Sequence, residues 1–247
     1  MNNYLSKTIG TIVTEDYRTA EIFKKHNIDF CCNGNKNFGE VCETKKIDVG
    51  LLSDELKSVT NSDQKQTVDF LSWPLDLLTD YIEKKHHRYI EQRSPELQMY
   101  LDKLCKVHGN THSELFKITE LFNQSVGELA KHMKKEELIL FPAIRKLVKL
   151  SYNSEIEKDV KLNSVSAPIQ VMMSEHDIEG DRFREIARLT NNYITPPDGC
   201  NTYRVTLSLL KGFEDDLHMH IHLENNILFS GAIELEDKVQ KKMQLQL

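Results

Sequence analysis

His132 and Glu136 stand four residues apart, and near the end of the chain His220 and Glu224 repeat that spacing. Each pair leads into the same run, Ile139-Leu140-Phe141 in the first copy and Ile227-Leu228-Phe229 in the second. Residues at i and i+4 share one face of an α-helix, so each copy aims an imidazole and a carboxylate at a single point. One such pair alone is usually a solvated surface pair. Two aligned copies point instead to a bundle of two related helical hairpins. Both copies also lie on apolar stripes, with Phe122, Ser125, Leu129 and Leu140 about the first and Phe213, Leu217, Ile221 and Leu228 about the second. The polar pairs therefore face inward, where an unpartnered polar group is costly and a metal ion is one way to satisfy it.

Long helices must carry these residues. The first is expected from Pro74, a residue suited to a helix start, through Leu75, Leu78, Ile82 and His86-His87 until Pro95 disturbs it. A second runs from about Thr111 past Lys135, bent or ended by Pro142. A third begins near Ala167-Pro168 and places Met172, Met173, His176, Gly180 and Phe183 on one stripe; Thr195-Pro196-Pro197-Asp198-Gly199 stops it. The last spans about Asn201 to Phe229. The expectation is an all-α fold with a four-helix bundle, which commonly builds metal sites from facing helices.

Counting one cluster per helix gives a His from the first, His132 and Glu136, His176, and His220 with Glu224. Four imidazoles and two carboxylates exceed a tetrahedral zinc set. They suit two first-row metals bridged by the carboxylates with positions left open, iron first, manganese or zinc as rivals. In the first helix the spacing from Ile82 favours His86 over His87. His218 and His222 fall on another face, beside Asp215 and Asn225, and are expected to face solvent. His26, His108 and His112 read as structural.

Residues 1–60 read as a small helical domain, with one helix starting at Thr14-Glu15-Asp16 and carrying Ala20, Ile22 and Phe23, and another following Asp48. Between them Asp29-Phe30-Cys31-Cys32-Asn33-Gly34 marks a turn. Its two thiols are either buried fillers or a redox-active, metal-binding or partner-binding pair; Cys42, beside Val41, looks like core. Asn61 to Thr67 is polar and without periodicity, so residues 61–71 read as a linker, leaving 72–247 for the bundle.

Composition narrows the function classes. The chain has 247 residues, 39% hydrophobic and 28% charged, as in a packed globular protein. A net charge of −6 with no basic block argues against non-specific nucleic-acid binding. No apolar run suits a membrane span, the first residues lack the apolar core of a signal peptide, and the five cysteines form no secreted disulfide framework, so a cytoplasmic protein is expected.

Five segments together resemble the RIC family, repair of iron centres, over nearly the whole chain. They are Asp29-Phe30-Cys31-Cys32-x-Gly34; His132-Met133-x-Lys135-Glu136-Glu137-x-Ile139-Leu140-Phe141-Pro142; Ser174-Glu175-His176-Asp177-x-x-Gly180; Thr195-Pro196-Pro197 ending in Cys200; and His220-x-x-x-Glu224-Asn225-Asn226-x-Leu228-Phe229. The resemblance implies a hemerythrin-like di-iron bundle behind an N-terminal ScdA-type domain. It moves the first-helix ligand to His87 and implies the set His87, His132, Glu136, His176, His220 and Glu224, holding two iron ions with oxo and carboxylate bridges. Glu175 becomes an acid near the metals, and Cys31 and Cys32 redox or partner thiols. Ser230, where relatives often have proline, departs from the pattern just past the ligands. The function implied is repair of iron-sulfur clusters damaged by nitric oxide or oxidative stress, by iron donation, with iron-sulfur proteins as clients and a homodimer as the expected assembly. The alternatives are a di-iron nitric oxide reductase or a protein that binds nitric oxide or oxygen; reversible oxygen carriage fits least, because oxygen-carrying hemerythrins use five imidazoles.

Overall fold

The computed structural model describes residues 4–61, 68–153 and 163–245, and these are helical with no strand beyond one antiparallel bridge between Thr8 and Asn37. The expected linker falls mostly on residues 62–67, outside the described residues. In the N-terminal part, α1 (Ile9–Glu15) starts where Thr8 accepts from the Thr11 amide, and buries Ile9, Ile12 and Val13. Thr14–Asp16, expected to open a helix, instead closes this one, because the cap and the apolar residues both lie earlier. Then come α2 (Thr19–Lys25), α3 (Phe38–Lys45), capped by Asn37, and α4 (Val49–Thr60), capped by Asp48. Between α2 and α3, Asp29 Oδ1 accepts from the amides of Cys31 (3.2 Å) and Cys32 (3.0 Å), which fixes the turn carrying both thiols.

The bundle follows as four rods, three of them interrupted by a wider turn. The first is α5 (Leu75–Tyr81), the π-helical turn π1 (Ile82–His87) and α6 (Arg88–His108). The second is α7 (Glu114–Lys135), π2 (Glu136–Leu140) and α8 (Phe141–Tyr152); the third is α9 (Ser166–Leu189). The fourth is α10 (Asn201–Leu223), π3 (Glu224–Leu228) and α11 (Phe229–Gln244). Two prolines act less than expected. Pro95 sits inside α6 without ending it, since Leu97, Leu101 and Leu104 are buried beyond it and hold the rod in place. Pro142 is at the start of α8, where its missing N–H matters little. The fourth rod also runs on through Ser230, well past the expected end at Phe229.

The π turns decide which side chains face inward. A π turn closes i→i+5 rather than i→i+4, so His87, not His86, comes round beneath Ile82 in π1. That extra residue corrects the α-helical periodicity that favoured His86. All three π turns begin or end on one of the expected site residues: His87, Glu136 and Glu224.

Two apolar cores flank this level. One joins α6, α7, the second half of α9 and most of α10 to the N-terminal helices through Phe23, Phe30, Phe38, Phe122, Phe183 and Phe213. The other gathers α5, α8, α11 and the start of α9 around Phe70, Phe141, Phe229 and Leu147. Because the N-terminal helices share the first core, the face of α10 expected to meet solvent is covered. His222 is 2% exposed and lies against the rings of Tyr17 and Phe30; His218 packs edge-on to Phe30. Burial lowers the pKa of His222 to about 3 and that of His218 to about 4, so both are neutral. The solvent-side expectation for these two is thus corrected: periodicity gives the face they share with Asp215 and Asn225 but not what covers it, and the N-terminal helices pack there. Met173, placed on the third stripe, is in turn exposed.

Candidate metal centre

The six side chains His87, His132, Glu136, His176, His220 and Glu224 are all buried and converge between the two cores. They form two groups whose ligand atoms lie within 4.8 Å of one another: His87, Glu136, His220 and Glu224; and His132, Glu136, His176 and Glu224. Both carboxylates belong to both groups. Glu136 turns Oε2 towards His87 Nε2 (3.4 Å) and Oε1 towards His132 Nε2 (3.4 Å); Glu224 turns Oε1 towards His220 Nε2 (3.0 Å) and Oε2 towards His176 Nε2 (3.2 Å). The two hairpins repeat this layout about a pseudo-twofold. His87 stacks on Phe141 and His176 on Phe229, so the conserved place of Phe in the two sequence copies seats the imidazole of the preceding rod.

The arrangement is not a satisfied polar network. Both oxygens of Glu136, both of Glu224, and the Nε2 atoms of His87 and His220 have no hydrogen-bond partner although fully shielded from water. Leaving so many buried lone pairs unpaired is costly, and a cation among them relieves the cost. The groups also perturb each other. Burial pushes the His132 imidazolium down, but Glu136 and Glu224 outweigh it and lift the pKa to about 10. Burial and Glu224 press the Glu136 carboxyl upwards, yet His132 and His87 bring it below the usual range. His220 goes the other way, because its burial outweighs the pull of Glu224.

Comparison with known proteins gives the family. Residues 79–232 match the hemerythrin HHE cation-binding domain, and residues 5–60 match ScdA_N, a domain of unknown function. The chain belongs to the hemerythrin HHE family. Its relatives include the iron-sulfur cluster repair protein ScdA of Staphylococcus haemolyticus, 33% identical over 90% of this chain and 96% of the relative. They also include the iron-sulfur cluster repair protein YtfE of Escherichia coli, 32% identical over 93% of this chain and 98% of the relative. The two-domain order of the resemblance, a ScdA-type domain before a hemerythrin-like bundle, is the order these matches report.

Around these six side chains, hydrogen bonds to the outer imidazole nitrogens set the ring orientations. Glu175 Oε2 holds His132 Nδ1 at 2.8 Å and is itself paired with Lys135. Glu137 Oε1 holds His87 Nδ1 at 3.1 Å. A regular α-helix would point Glu137 about 100° away from Glu136; in the widened turn π2 it instead meets the ring of the neighbouring rod. Asn225 plays the corresponding part in the second hairpin, with Oδ1 2.9 Å from His176 Nδ1. Aligning the two copies would have flagged both, since each is the polar residue just after the carboxylate. His86, the first choice from periodicity, is buried outside both groups, bound to Asp216 through Nδ1 (3.0 Å).

One side of the cluster is reachable. A small cavity of about 50 Å³ lined by Glu128, Leu129, His132, Glu175, His176, Ile178 and Glu179 ends at the second group. The thiols lie against α9: Cys31 and Cys32 Sγ are 3.7 Å apart, and Cys32 Sγ donates to the His176 carbonyl oxygen (3.4 Å). Cys42 is buried core. The remaining histidines take structural partners, His26 with Glu55, His108 with Cys200, and His112 with Glu114 and Asp198. Among the described residues no helix is long and apolar enough to cross a membrane.

Proposed function

We propose that this protein holds two iron ions in the HHE cluster and repairs damaged iron-sulfur clusters by giving up iron to the proteins that carry them. One observation carries the reading: two buried carboxylates each offer one oxygen to either of two adjoining imidazole pairs, and none of the four oxygens has a hydrogen-bond partner. His87 and His220 would hold one ion, His132 and His176 the other, and Glu136 and Glu224 would span them. Imidazole and carboxylate without thiolate suit iron. Relatives that span nearly the whole chain are named for iron-sulfur cluster repair, which favours this reading over nitric oxide reduction. The ion pair, when bound, supplies transferable iron and open coordination positions.

The chain's own residues make the two positions unequal. His87 and His220 are sealed within the bundle, while His132 and His176 border the cavity beside Glu175, whose carboxylate is 30% exposed and paired with Lys135. Iron to be donated would leave from the second group, along the Glu175 side, with the first group retained. Residues 1–60 would act as a docked module holding Cys31 and Cys32 against α9, residues 61–71 as its tether and 72–247 as the metal-holding bundle. Oxygen or nitric oxide as small ligands, a homodimer and a cytoplasmic location belong to the same proposal. The test is metal analysis of the purified full chain followed by anaerobic incubation with a hydratase whose [4Fe-4S] cluster has lost iron. Two irons per chain and recovery of hydratase activity are expected. A chain that retains no iron, or retains it and restores nothing, overturns the reading.

A further inference from the structure

A second group of reactive side chains lies where the end of α6 meets the start of α10. His108 is the last residue of α6 and Cys200 immediately precedes α10, with Cys200 Sγ 3.2 Å from His108 Nε2. α6 has 21 residues, so at about 1.5 Å each His108 stands roughly 30 Å from the ligand-bearing turn at the other end of the rod. Of the five cysteines, all among the described residues, Cys200 alone is exposed. Cys31 and Cys42 are buried, and Cys105 Sγ is hydrogen-bonded to Thr119 Oγ1 (3.2 Å). The surrounding chain holds the Cys200–His108 contact in place. The Gly199 amide donates to the Pro196 carbonyl oxygen (2.9 Å) and closes a turn just before Cys200. Asp198 holds His112 Nε2 (3.1 Å) while Glu114 holds its Nδ1 (2.9 Å), which ties this loop to the corner between α6 and α7. Tyr203, 3% exposed, stands edge-on to both imidazoles, its ring centroid 5.4 Å from that of His108 and 5.5 Å from that of His112.

An anion at the start of α10 and a cation at the end of α6 are the charges that those helix ends favour. The hydrogen bond to His108, helped by the first-turn amides of Tyr203 and Thr202, brings the Cys200 thiol down to about 7 from its ordinary 9.0. The other titratable groups about the sulfur are His112, which Glu114 and Asp198 raise, and Tyr203, which burial raises. Thiolate character and access together make a cysteine reactive. We propose that Cys200 is a site of reversible covalent modification, where a small disulfide exchanges with the thiol to leave a mixed disulfide and His108 handles the proton. Cys200 Sγ attacks one sulfur of the small disulfide, whose S–S bond breaks as a new S–S bond joins one half to Cys200. The other half leaves with the electron pair as a thiolate and takes from His108 the proton that Cys200 gave up. The small disulfide is the oxidant, so no further reagent is needed. Such a cap is reversed by thiols, whereas an exposed thiolate left uncapped can be oxidised irreversibly to the sulfinic acid. The site shares no residue with either metal group, and the proposal does not rest on the repair reading.

The full chain as purified is incubated with hydroxyethyl disulfide, a small neutral disulfide, and quenched with acid at intervals; intact mass gives the rate and peptide mapping the position. The first addition is expected at Cys200, at a rate that rises with pH to a plateau with its midpoint near pH 7, and dithiothreitol should remove it. Cys200→Ser should lose this addition. His108→Gln should move the midpoint up by about one unit, making the reaction about 2-fold slower at pH 7 and about 3-fold faster above about pH 9, since a more basic thiolate is scarcer but more nucleophilic. A merely structural role for His108 would not produce that crossing, because altered access scales the rate equally at every pH. First addition at another cysteine, or a wild-type midpoint at about 8.5 as for an unassisted thiol, overturns the proposal. His108→Gln with the wild-type midpoint overturns the part given to His108. The wild-type position and profile decide the proposal even where a variant does not fold.

Discussion

Substituting Gly10 by alanine tests how the N-terminal module is seated. Gly10 lies within α1, where Gly→Ala in an open helix position stabilises by about 1 kcal/mol. Here a β-carbon would stand 2.2 Å from Asn226 Oδ1, 2.8 Å from Asn226 Cγ and 3.0 Å from the Gly34 carbonyl oxygen. Asn226 cannot simply swing away, because its amide is bonded to the Phe30 and Cys31 carbonyls and to His222 Nδ1. Overpacking of this kind costs about 1–3 kcal/mol, so the helix gain is cancelled or reversed, and Gly10→Ala should lose up to about 2 kcal/mol. With Asn226→Ala as the background the main clash is gone. There the same substitution should be neutral or stabilise by up to about 1 kcal/mol, the residual contact with Gly34 O taking part of the gain. Urea unfolding followed by far-ultraviolet circular dichroism on the four proteins of this cycle measures the coupling. If Gly10→Ala stabilises both backgrounds equally, Asn226 does not wedge between Gly10 and Gly34 and the docked interface described above is wrong.

Two further outcomes concern protons. Metal-free His132 keeps its proton up to about pH 10, so loading ferrous iron at pH 7 should release at least one proton per chain into a weakly buffered indicator solution, and apparent affinity should rise with pH; uptake at pH 7 without proton release would contradict this. Glu214 is raised by burial, against the pull of Lys24, to about 7 from its ordinary 4.5. A carboxyl raised on folding favours the protonated form, so its contribution to stability is full below pH 4.5 and is lost as pH climbs through 7, a change of at most about 3 kcal/mol. Glu214→Gln should therefore match wild type near pH 4.5 and exceed it at pH 8; equal stabilities at both pH values would place the carboxyl in water.

The spacing of residues along the chain determined that His132 and Glu136, and His220 and Glu224, would share helix faces, because four residues make about one turn wherever a helix forms. The duplicated Ile-Leu-Phe run made the pairing of two hairpins legible for the same local reason, and the motif resemblance extended it to the whole-chain family. Other assignments had no local cause. His87 replaces His86 at the cluster because of one π turn, and a wider turn is stable only when the surrounding rods and the cluster hold it. His222 reads as a polar residue on a polar face, yet Tyr17 and Phe30, some 200 positions earlier, bury it. Asn225 donates to the Cys31 carbonyl oxygen, 194 residues away in sequence. Helix periodicity is a property of neighbours along the chain, whereas whether a face meets water, a metal or another module depends on contacts between distant segments, and these only the tertiary structure decided.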